Sequence, residues 1–416
     1  MRPVSSSSQK NKSGKAAPTA AAAAAMKQRN PDDVVIVSAL RTPLCRSRKG
    51  GFAKTPPSTL LEAVLKGVCG GISGSDVQDI CIGNCLMPPS GFASMRMAAI
   101  AAGIPAETAP ISWVNRQCSS GLQAVANIAQ SIKAKQITVG VGGGVESMSY
   151  YPMKSIKAPD VDWDVMKQPQ NKSAMDCLIP MGVTSDNVVK KYGLTRTDLD
   201  QFAMESHKKA ARARSEGRFR NEIVPVAGVT DDDGIRSQTS MEILSKLKPV
   251  FSENGKTTAG NSSQTTDGAA ACLLMTRAEA QRRGLPILGV WRSYTVQAVP
   301  PKIMGIGPAV AIPHALKLAD LTLHDIDIFE INEAFASQAS WCVDVLNIAP
   351  QKVNPNGGGI ALGHPLGCTG ARQIATLLNE LHRTNQRYGV VSMCVGTGMG
   401  AAAVLEVEQE QPPSRL

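Results

Sequence analysis

Apolar and polar positions follow two alternating patterns along most of this 416-residue chain. Short runs of apolar and β-branched residues, such as residues 34–37 and 137–141, alternate with longer segments whose apolar residues recur at helical spacing. Short strands that alternate with longer helices are typical of an α/β protein. The pattern therefore predicts the α/β class.

One predicted helix, residues 121–132, is apolar on nearly every side. Its polar interruptions are few: Gln123, Asn127, Gln130 and Ser131. A helix that is apolar almost all round is usually buried between layers instead of lying on a surface. We therefore expect this helix to be enclosed on both sides.

The chain contains an internal repeat with an offset of roughly 250 residues. The matching blocks are 34–37 with 287–290, 79–84 with 327–332, 120–126 with 369–375, and 137–144 with 388–396. Two sheets that enclose a shared pair of helices would explain both the repeat and the buried helix. The sequence thus predicts a duplicated α/β fold.

Residues 149–264 have no counterpart in the repeat, which predicts an inserted loop domain over one face. This segment holds a Pro- and Lys-rich stretch, a charged helix near 198–217 and an acidic turn at 231–234. The predicted organisation is a tail at 1–31, an N-terminal half at 32–148 completed by 265–285, the loop domain at 149–264, a C-terminal half at 286–408 and a tail at 409–416.

Composition and charge narrow the function. Hydrophobic residues make up 43% and charged residues 19%, which is ordinary for a soluble globular protein. No stretch is long and apolar enough to span a bilayer. Six positive charges of the net +10 fall in residues 1–31, which lack any acid. The remaining charge is mild and forms no basic stripe with aromatic residues, so no nucleic-acid partner is expected.

The ten cysteines lack both metal-ligand spacing and the spacing of secreted disulfide frameworks. No metal site is therefore expected, and a reducing compartment fits better than a secretory one. Cys81, Cys85, Cys272 and Cys342 are predicted to be small buried apolar residues.

Three residues stand out because each lies in a glycine- or serine-rich turn. Cys118 directly precedes the buried helix, where free N–H groups and the helix dipole would favour a thiolate. His364 lies in the turn 363–367, and Cys394 begins a stretch, 394–400, that is rich in glycine. Two cysteines and one histidine in such turns indicate covalent acyl chemistry.

The full set of motifs resembles the thiolase family, and most closely its peroxisomal 3-ketoacyl-CoA members. The resemblance covers residues 33–407. Its motifs occupy residues 115–121, 144–149, 258–263, 304–308, 332–336, 363–367 and 394–400. It implies a layered αβαβα duplication with an inserted loop domain, and a homodimer or a tetramer.

The resemblance also implies a reaction: CoA-dependent cleavage of 3-ketoacyl-CoA to acetyl-CoA and an acyl-CoA shortened by two carbons, as in fatty-acid β-oxidation. Cys118 would be the nucleophile that carries the acyl group, and His364 its base. Cys394 would exchange the proton with the departing carbanion and with CoA, as a thiol near its ordinary pKa of about 8.5. Asn332, through a bound water, and His364 would stabilise the keto oxygen. The N–H groups of Cys118 and Gly396 would stabilise the thioester oxygen.

For CoA, the resemblance places Ser263 near the pantetheine, Arg236 near the adenine nucleotide and Met181 at the floor of the pantetheine tunnel. CoA would be a substrate, so no permanently bound cofactor is expected. Many acetoacetyl-CoA-specific relatives carry His before the Met-Gly pair, where this chain has Pro180. This difference argues against an enzyme restricted to short chains.

Three alternatives remain at this point. The first is an acetoacetyl-CoA thiolase that works in the condensing direction. The second is a carrier-protein-dependent ketoacyl synthase, although such enzymes use a second histidine where this chain has Cys394. The third is a non-catalytic acyl-CoA-binding or lipid-transfer protein, against which the intact Cys118, His364 and Cys394 speak.

The two tails bear on localisation. Residues 414–416, Ser-Arg-Leu, are a conservative variant of the C-terminal peroxisomal tripeptide and would be read by an import receptor. They favour the peroxisome or a related organelle such as the glycosome. The acid-free, serine-rich N-terminal tail loosely resembles a mitochondrial transit peptide, which keeps the mitochondrion as the alternative. Whether Met26 is an alternative start is left open.

Overall fold

The computed structural model describes residues 29–156 and 158–408. The expectations for most of the N-terminal tail, for Met26 and for the peroxisomal tripeptide at 414–416 fall outside the described residues.

The strands are β1 (Val34–Arg41), β2 (Cys45–Arg46), β3 (Asp79–Gly83), β4 (Ile111–Val114), β5 (Val139–Ser147), β6 (Thr266–Thr276), β7 (Gly289–Ala298), β8 (Ile328–Ile331), β9 (Tyr388–Val395) and β10 (Met399–Glu406). The α-helices are α1 (Pro57–Val68), α2 (Phe92–Ala101), α3 (Ser120–Lys133), α4 (Trp163–Met166), α5 (Lys172–Met175), α6 (Met181–Tyr192), α7 (Arg196–Ser215), α8 (Met241–Ser245), α9 (Arg277–Arg282), α10 (Gly307–Leu318), α11 (Ala336–Val345), α12 (Gly359–Leu362) and α13 (Thr369–Arg383).

The strand order repeats the duplication seen in the sequence. It runs β4-β3-β5-β6-β1-β7-β10-β9-β8, with β2 paired to β6 beside this path. β3 pairs with β5 in parallel, as β8 pairs with β9, and the next pair inward in each half, β5 with β6 and β9 with β10, is antiparallel. The halves meet at a short contact where Val35 pairs with Val290 and Ile36 with Gly289. Each half is therefore one copy of the same sheet topology.

The two central helices, α3 and α13, begin against each other. A Cβ atom on Gly121 would lie 2.5 Å from the carbonyl oxygen of Gly367, and one on Gly370 would lie 2.4 Å from the backbone N of Leu122. Only glycine permits this approach. Because the first seven residues of α3 are all buried, the predicted enclosed helix is confirmed.

Three apolar clusters define the layers. Val125 of α3 and Ile374 of α13 belong to one cluster with residues from the inner faces of both half-sheets. α1 and α2 cover the outer face of the N-terminal half-sheet, and α10 with the end of α11 covers the outer face of the C-terminal one. The order is helix, sheet, helix pair, sheet, helix, so the predicted layered αβαβα duplication is confirmed.

Between β5 and β6 the regular elements are helical, and strand pairing within that described segment is limited to isolated bridges such as Pro249 with Thr258. The charged helix expected near 198–217 is α7. Its first turn is closed by Thr195 and Asp198, each of which bonds the backbone N–H of the other. We propose that residues 149–264 form the loop domain, with the two halves bounded as predicted from the repeat.

A buried ionic cluster ties this segment to the sheet. The Arg41 guanidinium binds Asp232 through two hydrogen bonds of 2.7 and 2.9 Å, and its Nε donates to Glu222 at 2.6 Å. Glu222 also accepts from the Thr376 hydroxyl of α13 at 3.0 Å. Removal of any one partner would leave a buried charge uncompensated. Part of the predicted acidic turn is therefore an internal anchor and not a solvated loop.

Within the described residues, no helix combines the length and the apolar character needed to cross a membrane.

Candidate active site

Cys118 lies in the nucleophile loop, residues 115–119, between β4 and α3. Gln117 has a positive φ of 48°, which sharpens the turn just before the cysteine. The Asn115 side chain accepts from the Gln117 N–H at 2.9 Å, and the Ser120 hydroxyl accepts from the Arg116 N–H at 2.9 Å. These bonds hold the half-buried Cys118 thiol at the start of α3, as expected.

The electrostatics of Cys118 differ from the expectation. Burial raises the pKa of its thiol to about 11, and the Glu146 carboxylate adds to the rise. The N–H groups of Gly396 and of Cys118 itself point at the sulfur and act in the opposite direction, but do not outweigh burial. The expectation that the helix end favours a thiolate over a thiol was therefore wrong, because desolvation penalises the charged form more strongly.

His364 lies in the histidine turn, residues 363–367, between α12 and α13. Its Nδ1 is 2.6 Å from the Thr369 hydroxyl oxygen, and that hydroxyl donates to the Pro365 carbonyl at 2.9 Å. Because the hydroxyl hydrogen is already used, Thr369 accepts from Nδ1–H. The tautomer is therefore set, and the lone pair lies on Nε2.

Burial also governs the charge of His364. It lowers the pKa of the imidazole to about 3, and the Arg372 guanidinium contributes in the same direction. The ring is neutral at every physiological pH, which is the form that a general base requires.

Asn332 follows β8 and faces the histidine. Its Nδ2 lies 3.3 Å from His364 Nε2 and 3.4 Å from Nδ1. Its Oδ1 is buried and has no hydrogen-bond partner among the described residues. Buried polar atoms are normally satisfied by protein, water or ligand, so this side chain has spare bonding capacity inside the site.

Cys394 lies near the end of β9 and is fully buried. Its Sγ is 3.0 Å from Gln338 Oε1 of α11, and it packs in a cluster with Met304, Ala334 and Met181. Burial raises its pKa well above the ordinary value, and the neighbouring thiols of Cys118 and Cys342 add to this. The expectation of a thiol near its ordinary pKa was therefore wrong.

The second cysteine loop, residues 394–400, touches the nucleophile loop. A Cβ on Gly396 would lie 3.4 Å from Gln117 Cγ, and the Gly396 N–H donates to the Cys118 sulfur. Gly398, at φ 95°, would place a Cβ 2.4 Å from the Val299 carbonyl oxygen. Gly398 therefore permits close backbone approach at this point. Cys118, Gly396 and Cys394 form one group, and Asn332 with His364 forms a second.

The residues expected near CoA fall in two places. Met181, the first residue of α6, packs in the Cys394 cluster. Half-buried Ser263 donates its N–H to the Ala334 carbonyl at 2.9 Å, beside the same cluster. Arg236 is exposed, and its backbone N–H donates to the buried His207 ring at 3.2 Å. The structure brings Met181 and Ser263 to the site and leaves Arg236 at the surface.

Glu146 was not singled out from the sequence, although it lies inside the motif at 144–149. It is fully buried and accepts from the N–H groups of Cys85 at 2.9 Å and Gly367 at 3.0 Å, and from the Asn84 side chain at 3.1 Å. Burial raises its pKa to about 7. This carboxyl group joins the histidine turn to the loop that follows β3, beside Cys118.

Two further residues of the site were also missed. Thr369 and Gln338 hold His364 and Cys394, and nothing in the local sequence distinguishes them from ordinary helix residues. Cys81, Cys272 and Cys342 are buried as predicted, whereas Cys85 is half-buried and its thiol lies 3.4 Å from Gln117 Oε1 of the nucleophile loop.

No group of three or more His, Cys, Asp or Glu side chains in residues 29–156 and 158–408 is arranged to hold a metal ion.

Two family models match this chain. The thiolase N-terminal domain matches residues 34–278, and the thiolase C-terminal domain matches residues 285–407. Over 390 residues the chain is 55% identical to the peroxisomal 3-ketoacyl-CoA thiolase of Homo sapiens, with 90% of this chain and 91% of the relative covered.

Solved structures agree with these matches. The dimeric peroxisomal thiolase of Saccharomyces cerevisiae superposes with a TM-score of 0.87 at 43% identity, covering 92% of this chain and 100% of that one. Human mitochondrial 3-ketoacyl-CoA thiolase in complex with CoA gives a TM-score of 0.82 at 34% identity, covering 91% and 98%.

Proposed function

The chain belongs to the thiolase family, and on that premise we propose that it acts as a 3-ketoacyl-CoA thiolase. It transfers an acyl group from 3-ketoacyl-CoA to CoA and releases acetyl-CoA. The observation that carries the proposal is the contact between the nucleophile loop of the N-terminal half and the second cysteine loop of the C-terminal half. The Gly396 N–H of the second cysteine loop and the Cys118 N–H both point at the Cys118 sulfur, and Cys394 lies beside them.

In the first half-reaction, Cys118 gives its proton to Nε2 of His364, and its sulfur attacks the 3-keto carbon. The bond between carbons 2 and 3 then breaks. The electron pair leaves with the acetyl-CoA enolate, which takes a proton from Cys394. Because burial favours the neutral forms of both Cys118 and His364, the proton moves as the new bond forms and not beforehand.

In the second half-reaction, CoA gives its thiol proton to Cys394 and attacks the acyl thioester on Cys118. The tetrahedral intermediate collapses to the shortened acyl-CoA. The Cys118 sulfur leaves and regains its proton from His364, so every group returns to its starting state. The N–H groups of Cys118 and Gly396 stabilise the thioester oxygen, and Asn332, through a water, acts with His364 on the keto oxygen.

CoA enters as a substrate in this scheme and not as a permanently bound cofactor. Met181 and Ser263 lie where the pantetheine would reach Cys394, since Met181 packs in the cluster around that residue. Exposed Arg236 is free to meet the adenine nucleotide. Its role is supported only by the match to the family motif and by its exposure.

The assembly and the location follow from the relatives. The yeast relative is dimeric and peroxisomal, and the human relative is peroxisomal. We infer at least a homodimer in the peroxisome, with residues 414–416 read by an import receptor.

The test is steady-state thiolysis of 3-ketoacyl-CoA substrates from four to sixteen acyl carbons, with rapid-quench digestion to recover acylated Cys118. Cys118→Ala is expected to lose more than about 10⁴-fold in kcat because the acyl carrier is gone. Cys85→Ala, which removes the neighbouring half-buried thiol, is the matched control, and its kcat should stay within about threefold of wild type because this thiol takes no part in the proposed steps. Turnover of the four-carbon substrate alone would favour the acetoacetyl-CoA alternative. Full activity in Cys118→Ala would contradict the proposal.

A further inference from the structure

The thiol of Cys394 has one side-chain partner among the described residues. Its Sγ lies 3.0 Å from Oε1 of Gln338 on α11. Cys394 is 0% exposed and Gln338 is 1% exposed. The amide oxygen therefore accepts the S–H hydrogen in a place that bulk water does not reach.

The other end of the same amide is unused. Gln338 Nε2 is buried and has no hydrogen-bond partner in the described part of the chain. An unpaired buried N–H group normally costs more than a hydrogen bond gains, so such a group calls for an explanation. Gln123, by contrast, uses both ends of its amide, since Oε1 accepts from Arg116 and Nε2 donates to Asn127.

The backbone of Gln338 is fixed while its amide end can turn. A Cβ on Gly305 would lie 2.7 Å from Gln338 Cβ, so α11 packs directly against that glycine. The adjacent Ser337 hydroxyl is 2.7 Å from that of Ser185. Rotation about the last side-chain bond would exchange Oε1 for Nε2 at the sulfur without moving the helix.

We propose that Gln338 is a positioning residue that serves both protonation states of Cys394. Its amide oxygen accepts from the thiol, and after Cys394 has protonated the departing enolate the amide turns and donates Nε2–H to the thiolate. The inference rests on the proposed function, because there Cys394 loses and regains one proton in each turnover. No covalent bond changes in the turn, and no co-reactant is needed.

The physical reason is that the thiolate form of Cys394 needs a hydrogen-bond donor more than the thiol form needs an acceptor. A hydrogen bond to an ionised acceptor is roughly twice as strong as one between neutral groups, and Cys394 is 0% exposed to bulk water. The titratable groups that act on this sulfur are the Cys118 and Cys342 thiols. Neither supplies a positive charge, and the Cys394 backbone N–H already favours the thiolate, so the amide N–H is the side-chain donor that can add to it.

The first test compares three variants by kcat, KM and pH profile. In Gln338→Leu, kcat should fall about 10- to 100-fold, the worth of a hydrogen bond to a charged group, with KM within about twofold. Gln338→Glu keeps the acceptor and the shape but loses its donor as the carboxyl group ionises. Its kcat should therefore fall with rising pH over the range where the wild-type value still rises.

The matched control is Gln373→Leu. Gln373 is also a buried glutamine with half of its amide unpaired, since Nε2 donates to the Glu330 carbonyl at 2.8 Å and Oε1 has no described partner. The same chemical change there should leave the pH profile of kcat unaltered. If Gln338→Glu retained the wild-type pH profile and kcat, the amide turn would be refuted. If Gln338→Leu and Gln373→Leu lost the same factor in kcat and had the same pH profile of kcat, Gln338 would be a packing residue only.

A second measurement does not depend on turnover. In the Cys118→Ala protein, the rate at which methyl methanethiosulfonate modifies Cys394 at pH 8, followed by peptide mass spectrometry, reports the thiolate fraction. Adding Gln338→Leu should slow this modification about tenfold, the equivalent of one pKa unit. An unchanged or faster rate would overturn the inference. If the wild-type enzyme showed no thiolysis but the labelling rate still fell, the proposed function would fail while the amide–thiol coupling stood.

Discussion

The two halves of the molecule place different side chains at corresponding positions. Gly83 pairs with Gly144 in the N-terminal half, and Ile331 pairs with Ser392 in the C-terminal half. One position beyond the first strand lies an asparagine in each half, Asn84 or Asn332. Two positions after the paired residue of the second strand, and still within that strand, lies Glu146 in one half and Cys394 in the other.

The hydrogen bonds at these positions differ in kind. Asn84 donates to the Val145 carbonyl at 2.6 Å and to Glu146 at 3.1 Å, and accepts from the Met87 N–H at 2.8 Å. Asn332 has an unpaired Oδ1, and Cys394 has Gln338 as its described side-chain partner. The N-terminal half uses these positions to fix a loop, whereas in the C-terminal half Asn332 keeps an unpaired acceptor and Cys394 bonds a side chain of α11.

The starts of the central helices show a second contrast. Cys118 precedes α3 and His364 precedes α13, and burial is the main cause of both pKa shifts. It raises the pKa of the thiol to about 11 and lowers that of the imidazole to about 3. Burial shifts the two pKa values in opposite directions because a thiol is neutral when protonated, whereas an imidazole is neutral when deprotonated. The starts of the two central helices therefore present a thiol and an imidazole, and burial favours the uncharged form of both.

The largest expected effect concerns the corresponding residues Glu146 and Cys394, each replaced by a residue of similar size. Cys394→Ser should lower kcat about 10²- to 10⁴-fold, the usual contribution of a general acid–base group, with little change in melting temperature. Glu146→Gln should instead destabilise the fold by about 1–3 kcal/mol. The new amide N–H₂ group would replace one carboxylate oxygen that now accepts from backbone N–H groups, and would leave those donors without an acceptor. Urea unfolding and kcat at a temperature where both proteins are folded separate the two effects. A loss of kcat in Glu146→Gln as large as that in Cys394→Ser, at unchanged stability, would break the comparison.

The asparagine pair gives the next largest effect. Asn332→Ala should raise the activation barrier by about 3–4 kcal/mol, as removal of an oxyanion donor does, and leave stability nearly unchanged. Asn84→Ala should cost about 1–3 kcal/mol of stability because the Val145 carbonyl and the Met87 N–H lose their partner. Thermal melts and steady-state kinetics of both variants provide the measurement. Identical behaviour of the two would show that the halves do not divide structure from chemistry.

The smallest expected effect concerns pH and His364. In the unfolded chain the imidazole binds a proton below about 6.5, whereas in the folded protein it stays neutral until about pH 3. The unfolded state therefore binds more protons between these values, and stability is lost as pH falls through this window. Between pH 6.5 and 5 the loss from this group should be about 1.6 kcal/mol. Urea unfolding of wild type and His364→Gln at both pH values tests this, because His207 contributes equally to both proteins. A pH dependence that is the same in both would exclude His364 as its source.

Much of the fold could be predicted because the relevant patterns are local or repeated. The apolar helix at 121–132 indicated a buried central layer, and the repeat of 79–84 in 327–332 indicated two half-sheets. The expected boundaries of the loop domain stay a prediction. The site was harder. Cys118, His364 and Cys394 carry motifs around them, whereas Thr369 and Gln338 lie within helices and act only through groups that are distant in sequence.

The sequence by itself determined the family, the duplicated fold and the residue types able to carry an acyl group and move its protons, because these are written in spacing and motif. Only the tertiary structure decided the charge state of those groups. Helix position alone favoured a thiolate at Cys118, but desolvation depends on what the other half packs around the sulfur, and it prevailed. The partners of Cys394 and His364 were decided in the same way, since a buried hydrogen bond joins residues that only the folded chain brings together.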